Sequence, residues 1–429
     1  MLAHVGPGLI ITANIVGSGE LIVTTQLGAK AGFALLWFII FSCVIKVFVQ
    51  VELGRFAISE GVTTLSMLDR LPGPRAIVSW VLWLWAFMFI GTLFQVSGMI
   101  GAIASLFAAP DQAAAHTTWT IIPAVVCAVI LSRGRYGPVE KVSTLMVVLF
   151  TLGTMAAVFS LHWTQFQISG AEVASGFAFQ RPETFTIAFA AFGVTGMGAS
   201  ELIFYPYWCL EKGYARWVGQ RDDSPEWSER ARGWLRVMRV DAWLSMVVYT
   251  LGTVCFYLLG AAVLHAQGQE LTNADMVPVL SGMYEAAFDA VGRQVFLIGA
   301  FVVLFSTVFV STASNARLFA DGGSLFRIMR FENDDQRRRV VRAACIGIPA
   351  LGIVLALGFP QPVYLVMIGA LAQALMLPFL AFAALYLRYR LTSPDLRPGS
   401  AWSFALWVAF LSMVAVGLYQ FGGLLALWG

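Results

Sequence analysis

The stretch "NIVGSGELIV", residues 14–23, decides how this chain is read. It lies inside a long apolar run, yet it carries a glutamate, Glu20, preceded by Gly17, Ser18 and Gly19. A near-copy, "GMGASELIFY", occupies 196–205 and sets Glu201 in the matching place behind Gly198, Ala199 and Ser200. Glycine inside a helix is about 1 kcal/mol less favourable than alanine. Small residues ahead of an acid in an apolar segment therefore mark a place where a helix is interrupted.

The surroundings of both copies are membranous. The 429 residues are 59% hydrophobic and only 12% charged, whereas about a quarter of a soluble domain is charged. Many apolar runs reach the ~20 residues that cross a bilayer core about 30 Å thick. The ~10-residue alternating segments of a membrane barrel do not occur. The reading is an all-α membrane protein of eleven spans. They fall at roughly 7–28, 32–57, 76–107, 117–132, 138–161, 184–210, 237–264, 286–313, 341–358, 361–387 and 402–427.

Charge orients the chain. With the N-terminus in the cytoplasm, 23 of the 27 Lys and Arg fall in cytoplasmic loops. Only Lys30, Lys46, Arg181 and Arg293 lie elsewhere. That asymmetry is the positive-inside pattern, and it favours an inner-membrane protein with an odd number of spans. The net charge of +3 is spread over many loops, so nucleic acid is not an expected partner; the bilayer is. Five cysteines without CxxC spacing argue against a disulfide framework or a zinc site. No cofactor is expected. The first apolar run lacks a basic leader and is read as part of the mature chain. The loops 216–234 and 330–339 are read as charged, solvated connections, the former with some helix along the membrane surface.

The repeat carries the architecture. Five spans precede the second copy's span, and an odd number inverts the second half in the membrane. The expected organisation is a first repeat over 1–161, a second over 184–387, and an extra helix at 402–427. Inverted-repeat transporters bind cargo near the midplane, where the first helix of each half is broken. Unwound backbone survives at membrane depth only against protein or a watery cavity. Glu20 lies about 20 Å into its span at 1.5 Å per residue, and Glu201 lies similarly deep. A charge at mid-bilayer is disfavoured by at least ~2.5 kcal/mol on insertion scales, and it normally faces an interior site. The competing reading is structural: two glutamates, protonated or capping free amides at the breaks.

Further stretches add a resemblance. "HVGPGLI" (4–10), "ALLWFIIFSCVIKVFVQVELG" (34–54, with Trp37 and Gln50), "RGRYGPVEKVSTLMVVLF" (133–150, with Glu140) and "QALMLPF" (373–379) resemble, in order and spacing, the Nramp family of divalent metal-ion transporters. The resemblance covers nearly the whole chain and implies a LeuT-like fold with broken helices one and six. It also implies metal coordination by an Asp-Pro-Gly-Asn motif in helix one, where this chain reads Gly17, Ser18, Gly19 and Glu20. The family's Met-Pro-His-Asn motif in helix six is here Gly198, Ala199, Ser200 and Glu201. Acidic residues of the family's proton path fall on Thr92 and Gln95, and a helix-ten glutamine falls near Ala370, with Gln373 one turn on.

Losing a thioether and gaining carboxylates moves the chemistry from soft to hard cations. The leading expectation is a carrier of Mg2+ or Mn2+ without the family's usual proton coupling, although a buried carboxylate can itself carry a proton. Glu20 and Glu201 would hold the metal, with Gly17, Ser18, Gly198, Ser200, Gln95 and Gln373 around the cargo. Thr195 and Asn14 are second choices. Two alternatives stand beside it. One is a carrier of a small amine or amino acid, with Phe204, Tyr205, Tyr207 and Trp208 packing on it. The other is a sensor of the same fold that shows no flux. Catalysis is not expected: the spans hold no paired aspartates, no HExxH and no serine–histidine pair. Lys46, mid-span, either reaches toward the interface or Glu52, or serves as an internal counter-ion for Glu20 or Glu201.

Overall fold

A computed structural model describes residues 6–17, 19–108, 112–132, 136–179, 188, 191–193, 195–222, 224–269, 276–288 and 291–424. Among these the regular structure is helical, apart from a two-residue ladder pairing Arg75–Ala76 with Val78–Ser79. Among the described residues, eight helices are long and apolar enough to cross a membrane, and a bent pair at the start makes a ninth.

That pair is the first broken span. Helix α1 (Pro7–Ile15) opens with proline at its first position, where the missing amide hydrogen is no loss. The free amides of Gly6 and Gly8 donate to the carboxylate of Asp241 at 2.8 and 2.7 Å. The chain then passes through a π-helical turn, Gly19–Thr24, into α2 (Thr25–Ala31). The two halves meet at 44°. A side chain at Gly17 would press into Thr307, within 2.9 Å of its Cβ, so this bend needs glycine.

The long helices follow as α3 (Leu36–Glu60), α4 (Trp80–Phe107), α5 (Ala113–Ser132) and α6 (Tyr136–Ser160). The sixth span is described from Ala191 onward, apart from residue 194. Residues 191–193 are helical, 195–197 bend, and α7 (Ala199–Glu211) resumes. Gly196 takes φ +65°, and a Cβ there would stand 2.8 Å from the Cys43 sulfur. Both expected interruptions are therefore present. The first half of this span, 184–190, lies almost wholly outside the described residues.

Three boundaries differ from the sequence reading. Helix α8 begins at Pro225 and runs to Leu259, with a further π-helical turn carrying it to Gln267. The expected loop at 216–234 thus ends in helix, because Ser224 caps the Trp227 amide at 3.1 Å, Pro225 takes the first position and Glu226 suits the positive end. After α9 (Met276–Phe288), α10 runs Gly292–Leu325, twelve residues beyond the expected end. Helix α11 (Asp334–Gly358) starts where Asn333 caps the Gln336 amide at 3.0 Å, so the charged 334–339 is helix rather than turn. Two more helices, α12 (Pro362–Tyr386) and α13 (Ser400–Leu424), complete the bundle.

Burial sorts centre from rim. The most apolar stretch of α3 is 72% buried inside the protein, whereas those of α5 and α13 are only 28% buried. The latter two expose large apolar side chains such as Val125, Val129, Leu411 and Leu418, as a helix facing lipid does. The broken spans lie against α3, α8, α10 and α12 in the interior.

Candidate functional site

Polar groups gather between the two breaks. Asn14 is the penultimate residue of α1, and its side-chain amide nitrogen donates to the carboxylate of Glu201 in the first turn of α7. The Asn14 oxygen accepts from the Ser311 hydroxyl at 2.7 Å. Glu201 sits at the positive end of a thirteen-residue helix, where a carboxylate is favoured. Beside it, the Ser200 amide donates to Gln373 at 3.0 Å, and Gln373 in turn donates to Gln95 at 2.7 Å. Thr307, Ser311 and Asn315 present one face of α10 at helical spacing.

These residues enclose a cavity. Asn14, Gln95, Ser200, Glu201, Ser311, Asn315 and Gln373 line it, with Ile15, Gly19, Thr92, Gly196, Phe204 and Thr307. Its volume is about 20 Å3; a single water needs roughly 10–15 Å3 on the same measure. Two lining atoms, the Ser200 hydroxyl and the Asn315 amide nitrogen, are buried without a hydrogen-bond partner among the described residues. Buried polar atoms are ordinarily paired, so these two have capacity for something in the cavity. No lining residue carries sulfur.

Glu20 is differently placed. It is fully buried but is not among the lining residues. One carboxylate oxygen accepts from the Thr253 hydroxyl at 2.6 Å and the Gly196 amide at 2.9 Å, and the other accepts from Thr24 at 2.9 Å. The glutamate of the first copy thus caps a free amide at the second break, while that of the second copy faces the cavity. No cluster of three His, Cys, Asp or Glu side chains able to hold a metal occurs among the described residues.

Of the other expected residues, Ser200, Gln95 and Gln373 line the cavity, whereas Gly17 and Gly198 do not. Ser18 lies outside the described residues. The Thr195 hydroxyl stands 3.4 Å from that of Thr24, and Thr195 is not among the lining residues. Phe204 touches the cavity; Tyr205, Tyr207 and Trp208 do not. Asp241, Thr253, Ser311 and Asn315 are additions that the structure makes. The α10 residues have a legible signal only in their spacing, since 307, 311 and 315 fall on one helical face among other polar residues such as Ser306, Thr312 and Ser314. Asp241 and Thr253 have none, because their partners are more than two hundred positions away.

Broken first and sixth spans around a small polar cavity are the features of one fold class, the LeuT-type helical bundle. The solved Eremococcus coleocola manganese transporter, in complex with an aromatic bis-isothiourea substituted compound, superimposes at a TM-score of 0.68, covering 99% of this chain and 88% of that one at 16% identity. The nucleobase-cation-symport-1 transporter Mhp1, closed on bromovinylhydantoin, gives 0.62 at 15% identity over 97% and 91%. MhsT in complex with L-phenylalanine gives 0.58 at 16% identity over 96% and 98%.

The chain belongs to the Nramp family. The family model described as natural resistance-associated macrophage protein-like matches residues 8–421. Two Arabidopsis thaliana proteins, metal transporters Nramp3 and Nramp4, are 27% identical over 192 residues and 26% over 195. The matched stretch spans 44% of this chain and 36% of each relative.

Proposed function

We propose that this protein is a membrane carrier of a hard divalent cation, Mg2+ or Mn2+, and that Glu201 is the acid that meets it. The observation that carries the reading is the cavity itself, a space for one water-sized body lined by a carboxylate, side-chain amides and hydroxyls. Such oxygen donors suit magnesium and manganese, while sulfur suits softer metals. Asn14, Ser200 and Ser311 supply neutral oxygens among the residues that line the same cavity. Magnesium is usually bound through only one or two carboxylates, which a single acid fits. The curated relatives are metal transporters by name, and one structural neighbour is a manganese transporter.

Glu20 enters this reading as a support for the site rather than a ligand, since three protein donors already occupy its oxygens. Transport proceeds without the family's usual proton coupling, because Thr92 and Gln95 stand where acidic residues are expected. The orientation is N-terminus inside, in the cell membrane, from the distribution of basic residues. A small organic cargo is the lesser reading. Mhp1 and MhsT hold organic ligands in the same architecture, but a volume of about 20 Å3 does not admit one.

Uptake of Mn2+ and Mg2+ into proteoliposomes tests the proposal. Wild-type protein should take up at least one of them, and Glu201→Gln should abolish most of that flux. Uptake unaffected by Glu201→Gln, or flux of small amines with none of either cation, overturns it. A pH gradient that strongly drives uptake overturns the uncoupled part alone.

A further inference from the structure

Lys46 lies midway along α3 and is fully buried. Its ammonium donates to the main-chain carbonyl oxygens of Phe192 and, at 2.8 Å, of Thr195. It also stands 4.5 Å from the centre of the Phe192 ring, where a cation is attracted. Glu52, also on α3, is engaged elsewhere, with Arg55 at 3.3 Å and Arg388 at 3.7 Å.

The Thr195 carbonyl that Lys46 holds and the Gly196 amide that Glu20 holds belong to one peptide unit. The negative end of that peptide dipole faces an ammonium, and its positive end faces a carboxylate. Buried charges survive only when paired, and hydrogen bonds in series polarise one another. The intervening peptide therefore links two charges that lie on different helices. The unit needs such support. At Gly196 the backbone is left-handed and the helical hydrogen-bond ladder is interrupted. Ser42 makes a long 3.5 Å contact with the same carbonyl, and Thr24 and Thr253 complete the shell around Glu20.

We infer that Lys46 and Glu20 form a charge-compensated clamp on the Thr195–Gly196 peptide and are positioning residues for Glu201. The clamp binds α3 and the first broken span to the second break. Glu201 follows Gly196 by five residues, in a helix whose first hydrogen bond, Leu202 amide to Gly198 carbonyl, closes at 3.1 Å. A shift of the clamped peptide is transmitted along this short link to the Glu201 carboxylate and its Asn14 partner. The clamp stands on its own geometry; its effect on cargo rests on the cation reading above.

A double-mutant cycle tests it. Purified Glu20→Gln, Lys46→Gln and E20Q/K46Q proteins are unfolded thermally without divalent cation, then titrated with Mn2+ and Mg2+. Each single variant leaves one buried charge uncompensated and should lower Tm markedly, whereas the double variant should recover a large part of the loss. Cation affinity should fall about tenfold or more in each single variant and return toward wild type in the double, a pattern that loss of stability alone does not produce. Tm losses that simply add overturn the clamp. Tm coupling with cation affinity unchanged in every variant that binds overturns the positioning role. Singles that fail to fold beside a folded double support the clamp, and a double that also fails overturns it. If wild type binds neither cation, the proposed cargo fails while the Tm cycle still decides the clamp.

Discussion

Asn14 and Glu201 stand 187 positions apart and join the two breaks through one hydrogen bond, with Ser311 completing the link from α10 at 2.7 Å. The contact ties together three elements, α1, α7 and α10. Its strength follows from burial: Asn14 is 6% exposed and Glu201 7%. A hydrogen bond to a charged group contributes roughly 1.5–3 kcal/mol.

Asn14→Ala removes the donor to Glu201 and the acceptor of Ser311 together. Thermal unfolding in detergent should show a loss of roughly 1–3 kcal/mol, the usual penalty for leaving buried polar groups unpaired. Asn14→Asp should be worse, because it sets a second carboxylate against Glu201. An Asn14→Asp protein as stable as wild type without added cation would contradict this arrangement.

Sulfur placed at the unpartnered Ser200 hydroxyl should retune the cavity. Ser200→Cys changes little in size and supplies a soft donor, so Cd2+ should gain on the order of tenfold relative to Mn2+, a shift of about 1.4 kcal/mol. Competition binding reads that ratio directly. No change in preference would place Ser200 away from the cargo.

Gly260 and Gly347 form a matched pair of alanine tests. A Cβ on Gly260 would lie 3.1 Å from the Thr25 carbonyl carbon and 3.2 Å from its Cα, and backbone cannot swing aside. Gly260→Ala should therefore separate the second half of the broken first span from α8 and sharply reduce folded yield. Gly347, within α11, has open space around it, so Gly347→Ala should be neutral or stabilising by up to about 1 kcal/mol. Fluorescence-detected size exclusion distinguishes the two.

Asp241→Asn keeps size but removes the charge that accepts from Gly6 and Gly8 and from Tyr205 at 3.0 Å. The start of α1 should loosen, with a loss of roughly 1–2 kcal/mol, as when a helix cap is removed. Faster amide exchange confined to residues 6–12 is the expected signature.

The pH response of one surface element has a definite sign. Glu172 closes a capping box with Ser169 at the start of the short helix Gly170–Ser175. Hydrogen bonds from the Ser169 amide and hydroxyl hold its carboxyl below the usual glutamate value of 4.5. A depressed acid contributes stability above its unfolded value and loses it as pH falls through the folded one. Amide exchange over 170–176 should be flat above pH 4.5 and quicken below it, after correction for intrinsic rates. Ser169→Ala should remove that step.

Much of the architecture is legible in residue order. Apolar runs of membrane length, basic residues gathered in alternate connections and the doubled "G-x-x-E-L-I" signal are local patterns, and spanning helices must satisfy their own backbone. Both interruptions can be read for that reason. The helix starts at Ser224 and Asn333 escape a reading that weighs charge above capping. The cavity is half legible: Glu201, Ser200, Gln95 and Gln373 stand out in the sequence, whereas Asn315 and Ser311 signal themselves only by their spacing.

Local patterns are enough to establish a helical membrane protein, its two broken spans, and two acids set in near-identical stretches of sequence. They do not tell those acids apart. Packing of distant segments does so, directing Glu201 to a small polar cavity and wrapping Glu20 in donors from Thr24, Gly196 and Thr253. A buried carboxylate is defined by the donors around it. Of the donors Asn14, Thr24, Gly196 and Thr253, all but Thr24 come from chain segments more than a hundred and seventy positions away, where no local signal reaches.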